Sequence, residues 1–79
     1  MKKAVVVGGS GFIGSHVADY LSDSGYKVVI FDIVKSPWLR KDQDMVISDI
    51  LDDEKLKKVI KNSEVVYNFA ALSDLNRAV

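Results

Sequence analysis

Three glycines at regular spacing are the residues of this chain whose types and positions first suggest chemistry. Gly8, Gly11 and Gly14 form a G-x-x-G-x-x-G pattern directly after the apolar run at residues 4–7, and helical periodicity begins near Gly11 or Phe12. The first backbone N–H groups of a helix lack internal acceptors and carry partial positive charge, so a phosphate bound there gains hydrogen bonds and a favourable dipole interaction. The pattern therefore predicts a phosphate-binding turn.

Each glycine of this turn has its own predicted task. Gly8 permits the tight turn, Gly11 lets the backbone approach a ligand, and Gly14 lets the helix pack closely against the sheet. Gly9 is an additional glycine, and the hydroxyl of Ser10 is a further donor. A mere cluster of loop glycines is disfavoured, because a strand precedes the pattern and an amphipathic helix follows it. A Walker A loop is excluded, since no Gly-Lys-Ser/Thr follows the glycines.

A single carboxylate ends the second apolar run. Asp32 closes residues 27–32 and lies 18 positions after Gly14. Parallel sheets bind ligands at the carboxyl ends of their strands, where a carboxylate accepts hydrogen bonds from ribose hydroxyls and repels a 2′-phosphate. The sequence therefore predicts NAD rather than NADP, against the alternative of an exposed acid at a strand end. Lys35 and Arg40 follow closely, which leaves some NADP tolerance open.

Four β-branched runs supply the strands that must position these residues. They lie at residues 4–7, 27–32, 45–48 and 64–69, and three of them are nearly continuous apolar runs, as expected for parallel strands buried on both faces. Helical patterns separate the first from the second and the third from the fourth. This order predicts right-handed crossovers in one half of a doubly wound parallel α/β sheet, β-α-β-(α)-β-α-β, with strand order 3-2-1-4.

Two helices are predicted between these strands. The first has apolar positions at helical spacing and ends before Gly25, where a C-terminal glycine cap belongs. The second spans about residues 52–61, begins with carboxylates and ends with lysines, which complements the helix dipole. Residues 33–43 are read as a short helix or as a loop anchored by Trp38. The predicted inward stripes are Ile13, Val17, Tyr20, Leu21 and Ser24 in the first helix, and Leu56, Val59 and Ile60 in the second.

Composition narrows the class of protein further. The 79 residues are 48% hydrophobic and 28% charged, and 11 basic residues balance 11 acidic ones. This balance gives no electrostatic reason to expect nucleic acid or an anionic membrane as partner. The chain has no cysteine, which excludes disulfides and thiolate zinc sites, and no apolar segment long enough for a signal peptide or a membrane span. A cytoplasmic location is therefore expected.

The stretch VVVGGSGFIGSHVADYLSDSGYKVVIFD resembles the opening of the extended short-chain dehydrogenase/reductase family. Members of that family include NAD-dependent nucleotide-sugar epimerases and dehydratases on a Rossmann-type fold. SDILD is similar to the family's G-D-I-R-D segment, with Ser48 for glycine and Leu51 for arginine, and VYNFAALS is similar to its V-x-H-x-A-A segment. Asn68 stands at the common histidine position, and Val7 stands where many members have threonine. The resemblance covers essentially residues 1–79.

The resemblance implies where a dinucleotide would bind. Asp32 and Ile33 would hold the adenosine ribose, Asp49 and Ile50 would line the adenine, and the segment after the fourth strand would flank the ribose, the pyrophosphate and the nicotinamide side. The implied cofactor-binding residues are Gly8, Gly9, Ser10, Gly11, Phe12, Ile13, Gly14, Asp32, Ile33, Asp49, Ile50, Phe69, Ala70, Ala71 and Ser73, with Leu72 beside the last.

The family's catalytic Tyr-x-x-x-Lys pair is absent from the sequence. The residues four places after Tyr20, Tyr26 and Tyr67 are a serine, an isoleucine and an alanine. His16 has no nameable pocket partner and is interpreted as a packing or exposed imidazole, and the acidic start of the second helix, residues 52–54, as capping rather than as a metal site. No catalytic or metal-binding residue is therefore predicted.

These features predict the N-terminal, adenosine- and pyrophosphate-binding piece of a longer epimerase or dehydratase acting on a nucleotide sugar. The whole enzyme would oxidise a sugar hydroxyl by hydride transfer. The fourth strand would have partly uncovered apolar faces, so self-association or loose folding of the isolated chain is expected. Two alternatives stay open: an NADP-dependent ketone reductase of the same fold, and a non-catalytic module that senses the dinucleotide.

Overall fold

The computed structural model describes residues 2–49 and 51–69 of the chain. The elements follow in the predicted order of strand, helix, strand, connector, strand, helix and strand. The connector at residues 33–42 is a loop with turns and bends rather than a regular helix. The elements, in chain order, are β1 (Lys3–Val7), α1 (Phe12–Asp23), β2 (Lys27–Asp32), β3 (Gln43–Ile47), α2 (Asp53–Ile60) and β4 (Val65–Asn68).

The four strands form one parallel sheet in the order β3-β2-β1-β4. The central strand β1 pairs on one side with β2, where Val6 lies opposite Ile30, and on the other with β4, where Val6 lies opposite Tyr67. The predicted fold class and strand order are confirmed. Because all strands run in the same direction, their carboxyl ends share one edge of the sheet.

Two apolar clusters cover the two faces of the sheet. On one face, residues of β1 and β2 pack with Ala18 and Leu21 of α1. On the other, Val5, Val7 and Phe31 pack with the half-buried apolar side chains of α2. Alternate residues of β1 face opposite sides of the sheet. Both sides are covered, so the continuous apolar run of this strand is explained.

The predicted inward stripe of α1 is wrong in part. Ile13 is 62% exposed and Tyr20 is 71% exposed, whereas Gly14, Ser15, Ala18 and Leu21 form the buried face. Small side chains on this face let the helix axis lie close to the sheet, and that proximity turns the larger apolar residues outward. Val17, also in the predicted stripe, is half-buried and packs against the cluster.

The fourth strand has partly uncovered apolar faces, as the sequence predicts, and is not buried on both faces as its continuous apolar run suggests. Val66 is 45% exposed and Tyr67 is 42% exposed. β4 lies at an edge of the sheet, while α1 packs mainly on β1 and β2 and α2 packs on β2. The side chains of Val66 and Tyr67 therefore remain exposed, whereas Val65 packs against the core. Among residues 2–49 and 51–69, neither α1 nor α2 is long and apolar enough to cross a membrane.

Candidate functional site

The glycine turn connects β1 to α1 at the carboxyl edge of the sheet. Gly8 has φ +77°, a left-handed conformation that favours glycine, and its N–H donates to the Phe31 carbonyl at 2.7 Å. A Cβ at Gly14 would lie 2.7 Å from Cα of Gly9 and 2.9 Å from the Gly8 carbonyl oxygen. The close approach expected at Gly14 is therefore observed, but it is made to the turn itself rather than to the sheet.

Gly11 differs from its neighbours because protein packing does not require a glycine there. A Cβ built on Gly11 would meet only the Gly8 carbonyl oxygen, at 4.0 Å, whereas one on Gly9 would lie 2.9 Å from Cγ2 of Ile30. Gly11 is the N-cap of α1, with φ −74° and ψ 172°, and no side-chain hydrogen bond caps this helix. The turn thus leaves open space at the Cβ position of Gly11, beside the uncapped start of α1, where the sequence predicts a phosphate.

The Asp32 carboxylate stands directly beside this turn. Its Oδ2 accepts a hydrogen bond from the Ser10 N–H at 3.0 Å, and its Oδ1 accepts one from the Ile33 N–H at 2.7 Å. An ionised carboxylate has about four lone-pair sites, so roughly one on each oxygen is left for further donors. Such a carboxylate can accept from two adjacent hydroxyls, as a ribose diol offers.

Backbone hydrogen bonds join the other strand ends to this centre. The Ser48 N–H donates to the Asp32 carbonyl at 2.9 Å, and the Phe69 N–H donates to the Val7 carbonyl at 2.7 Å. Asp49 is exposed just after β3, and its Oδ1 accepts from the Leu51 N–H at 2.9 Å. The glycine turn, Asp32 with Ile33, and Asp49 thus share one edge of the sheet. Four predicted site residues lie outside the described residues: Ile50, Ala70, Ala71 and Ser73.

The hydroxyl of Ser10, predicted as a further donor, is engaged within the protein. It donates to the carbonyl of Val34, in the segment that follows β2. No residue type in the sequence could have indicated this contact, because its acceptor is a backbone carbonyl brought near by the fold. Ser10 therefore ties the glycine turn to the end of β2 through both its N–H and its hydroxyl.

Arg40, considered as a source of NADP tolerance, lies elsewhere. Its Nη2 is 2.9 Å from Asp23 Oδ1 and 3.1 Å from Asp42 Oδ2, and its Nη1 is 4.0 Å from Asp19 Oδ1. Hydrogen bonds to Asp23 and then to Asp42 raise the pKa of the guanidinium above its ordinary value. These partners hold Arg40 at the C-terminal half of α1, away from the uncapped start of that helix. Of the two cations considered as sources of NADP tolerance, Lys35 is nearer in sequence to Asp32 than Arg40 is.

The remaining polar and aromatic candidates have structural contacts. The ring of His16 lies edge-on to Phe12 at 4.4 Å between centroids, and Phe12 in turn faces Trp38 at 6.3 Å. Asp52 caps α2, as the sequence predicts, by accepting from the Lys55 N–H at 3.2 Å. Within residues 2–49 and 51–69, no group of three or more metal-ligating side chains is assembled.

The fold is that of Rossmann-type α/β domains, with the glycine turn and Asp32 at the carboxyl edge of the sheet. The chain belongs to the NAD dependent epimerase/dehydratase family, whose model matches residues 4–79. It is 35% identical to UDP-glucose 4-epimerase of Neisseria meningitidis serogroup B, covering 100% of this chain and 27% of that protein. It is also 34% identical to mouse sterol-4-alpha-carboxylate 3-dehydrogenase, decarboxylating, covering 89% of this chain and 19% of that protein.

Solved structures of the same family superpose on this chain. The crystal structure of UDP-glucose 4-epimerase from Brucella ovis in complex with NAD matches with a TM-score of 0.77 and 35% identity, over 87% of this chain and 22% of that one. UDP-glucose 4-epimerase from Thermotoga maritima, with UDP-glucose, also matches with a TM-score of 0.77, at 32% identity over 85% and 23%. The chain thus spans about a quarter or less of the length of these relatives.

Proposed function

We propose that this chain binds the adenosine and pyrophosphate part of NAD across the carboxyl ends of its strands. The observation that carries the proposal is the Asp32 carboxylate, 3.0 Å from the Ser10 N–H in the turn that leads into the uncapped start of α1. This arrangement combines an anion-binding helix terminus with an acceptor for ribose hydroxyls. The NAD in the similar Brucella ovis structure supports the same choice of ligand.

In this proposal each group of residues has one task. The turn from Gly8 to Gly14, with Phe12 and Ile13 in the first turn of α1, offers backbone N–H groups to the pyrophosphate. Asp32 and Ile33 face the adenosine ribose. The residues assigned to the adenine are Asp49 and Ile50, and those assigned to the ribose, the pyrophosphate and the nicotinamide side are Phe69, Ala70, Ala71 and Ser73.

The preference for NAD over NADP follows from charge. A 2′-phosphate would stand against the Asp32 carboxylate, whose Oδ2 is held by the Ser10 N–H of the turn and whose Oδ1 is held by the Ile33 N–H. Arg40 is bound by Asp23 and Asp42 and offers this phosphate no compensation. The proposal therefore favours NAD over the alternative of an NADP-dependent reductase.

For the whole protein we propose a nucleotide-sugar epimerase or dehydratase, in which residues 1–79 supply one portion of the dinucleotide-binding domain. NAD, when bound, would supply a hydride acceptor for a sugar hydroxyl carbon. The residues of this chain would hold the adenosine half and leave proton transfer to groups outside it, because the sequence contains no Tyr-x-x-x-Lys pair. Similarity to UDP-glucose 4-epimerases supports the substrate class.

Calorimetric titration of the folded chain with NAD and with NADP tests the cofactor assignment. We expect NAD to bind more tightly than NADP, and Asp32→Asn to weaken NAD about tenfold or more, the loss expected when hydrogen bonds to a charged group are weakened. The charge-matched control is Asp53→Asn, in the first turn of α2, which should leave NAD affinity unchanged. A chain that is folded by circular dichroism but gives no heat with NAD would refute the proposal.

We also propose that the chain self-associates through β4, on the side of the strand that faces away from β1. This strand carries no charged residue, and Val66 and Tyr67 are exposed on it, whereas the opposite edge strand β3 contains Asp44, which pairs with Lys27 at 3.4 Å. Charged side chains protect an edge from pairing with another chain, and β4 lacks them. The uncharged edge is therefore the expected contact between copies.

Sedimentation velocity over a range of concentrations tests this association. Val66→Lys should shift the chain toward the monomer. The matched control is Ile47→Lys, which adds the same charge at an exposed position of the β3 edge and should leave the distribution unchanged. A wild-type chain that stays monomeric at every concentration would contradict the assignment.

A further inference from the structure

We propose that Ser10 is a positioning residue that sets the Asp32 carboxylate for the adenosine ribose and thereby sharpens the choice of NAD over NADP. The inference rests on the proposed function, since it concerns the same site. It assigns to the serine hydroxyl a task different from contacting phosphate: the hydroxyl anchors the segment that carries the carboxylate.

Ser10 makes two contacts with the segment at residues 32–34. Its N–H donates to Asp32 Oδ2 at 3.0 Å, and its hydroxyl donates to the Val34 carbonyl. The other carboxylate oxygen accepts from the Ile33 N–H at 2.7 Å. One residue of the glycine turn therefore restrains both the side chain of Asp32 and the backbone two residues further along.

Packing contributes little to holding this segment. Ile33 is 63% exposed and Val34 is 60% exposed, so neither side chain is fixed in the core. The sheet holds the first residue of the segment, because Asp32 pairs with Ile47 of β3 and its carbonyl accepts from the Ser48 N–H at 2.9 Å. Hydrogen bonds from Ser10 are then the restraints that join the segment to the phosphate-binding turn.

Restraint of this kind favours binding because the acceptor is already oriented when the ligand arrives. With both oxygens directed by N–H donors, the free lone pairs of Asp32 face a ribose diol in a fixed direction. The same fixed negative charge stands where a 2′-phosphate would enter. If the segment is loosened, the carboxylate can turn away, which weakens NAD and relieves the repulsion of NADP.

The chain offers a matched control for the hydroxyl contact. Ser63, between α2 and β4, also donates its hydroxyl to a backbone carbonyl, that of Ile60 three residues earlier. Like Ser10 it is neither fully buried nor fully exposed. Ser63 precedes β4, so it lies at the amino edge of the sheet, opposite the proposed site. Removal of either hydroxyl deletes one neutral hydrogen bond, but only the Ser10 hydroxyl binds the segment at residues 32–34 that carries the carboxylate.

The test compares Ser10→Ala, Ser10→Thr and Ser63→Ala by calorimetric titration with NAD, NADP and AMP, with unfolding followed by circular dichroism. We expect Ser10→Ala to weaken NAD and AMP about fivefold, the factor that one neutral hydrogen bond supplies, and to reduce the ratio of NAD to NADP affinity. Ser10→Thr keeps the hydroxyl and should restore both quantities. Ser63→Ala should lower the free energy of unfolding by about as much as Ser10→Ala does. Its affinities for NAD, NADP and AMP, and its ratio of NAD to NADP affinity, should stay unchanged.

The outcomes separate this inference from the proposed function. If the wild-type chain binds NAD and Ser10→Ala matches Ser63→Ala in both affinity and NAD-to-NADP ratio, the positioning role is wrong and the cofactor site stands. If Ser10→Ala weakens AMP binding but leaves the ratio of NAD to NADP affinity unchanged, Ser10 does not sharpen the choice of NAD over NADP, and that part of the inference is wrong. If the folded wild-type chain binds neither NAD nor AMP, the proposed function and the positioning role are both overturned.

Discussion

Helix α2 satisfies its own N-terminus, whereas α1 begins at a glycine that offers no side chain for capping. Asp52 caps α2 through the Lys55 N–H, and Asp53 and Glu54 add negative charge to its first turn. The N-cap of α1 is Gly11, without a side-chain hydrogen bond and without an acidic residue in the first turn. Of the two helices that pack on this sheet, α2 thus has an N-terminus neutralised by its own carboxylates, and α1 has an open, partly positive N-terminus.

This difference separates the local stability of the helices from the proposed binding of a ligand. A side-chain cap contributes about 1 kcal/mol to a helix, and acidic residues in the first turn add a few tenths. α1 lacks both contributions at the end that faces Asp32. The structure therefore keeps the start of α1 available to an anion, while α2, which has no assigned ligand, uses its own carboxylates.

The two helices are also held in place differently. α1 buries Gly14, Ser15, Ala18 and Leu21 against β1 and β2, whereas α2 buries no residue fully. Short helices in water depend on packing or on local capping for their stability. α1 can begin without a cap because its buried face holds it. α2, with half-buried contacts only, depends more on Asp52.

Gly14→Val should produce the largest effect, because it breaks the packing that holds the uncapped helix. A Cβ at Gly14 already overlaps the backbone of Gly8 and Gly9, and the two Cγ methyls add to the overlap. We expect a loss of about 3 kcal/mol or more in the free energy of unfolding by urea, with loss of NAD binding. Tyr20→Val puts the same side chain on the exposed face of α1 and should cost less than about 1 kcal/mol. Equal effects of the two variants would contradict the close contact.

Gly11→Asp should convert the start of α1 into a terminus like that of α2. The extended backbone at Gly11 and the open space around its Cβ position accept an aspartate N-cap without overlap. We expect stability to stay the same or rise by a few tenths of a kcal/mol. NAD affinity should fall about 100-fold, because the new carboxylate occupies the N–H groups and repels the pyrophosphate, a change of about 2.7 kcal/mol.

The control for that conversion is Gly11→Asn, which caps the helix without adding charge. It should weaken NAD less than Gly11→Asp does, and the difference between the two measures the repulsion. Unchanged NAD affinity in both variants would show that the dinucleotide does not use the start of α1, and the contrast between the two helices would then have no bearing on binding.

The parts of the fold that could be predicted from sequence have strong local signals. The glycine turn, Asp32 at the end of β2, the glycine after α1 and the acidic start of α2 each lie within a few residues of the element they define. Strand order follows from these elements, because short connections and right-handed crossovers leave few alternatives. The same rules predict that Asp32 lies beside the glycine turn, and the hydrogen bond from the Ser10 N–H to Asp32 confirms this placement.

The parts that were missed depend on contacts between distant residues. Hydrophobic periodicity predicts Ile13 and Tyr20 as inward residues of α1, but the close approach of the helix selects small residues such as Ala18 for the buried face. The sequence places Arg40 within reach of the proposed cofactor site, and only the fold shows that Asp23 and Asp42 hold it at the other end of α1.

The smallest expected effect tests whether the two helix termini are independent. Asp52→Ala removes the cap of α2, and we expect a loss of about 1 kcal/mol in the free energy of unfolding, with NAD affinity unchanged. Asp53→Ala removes a first-turn carboxylate that interacts only with the dipole, so its cost should be a few tenths of a kcal/mol. Thermal and urea unfolding measure the stabilities, and calorimetry measures NAD. If Asp52→Ala weakens NAD beyond what Asp53→Ala does, α2 contributes to the binding edge and the separation of a capped, structural terminus from an open, binding one is wrong.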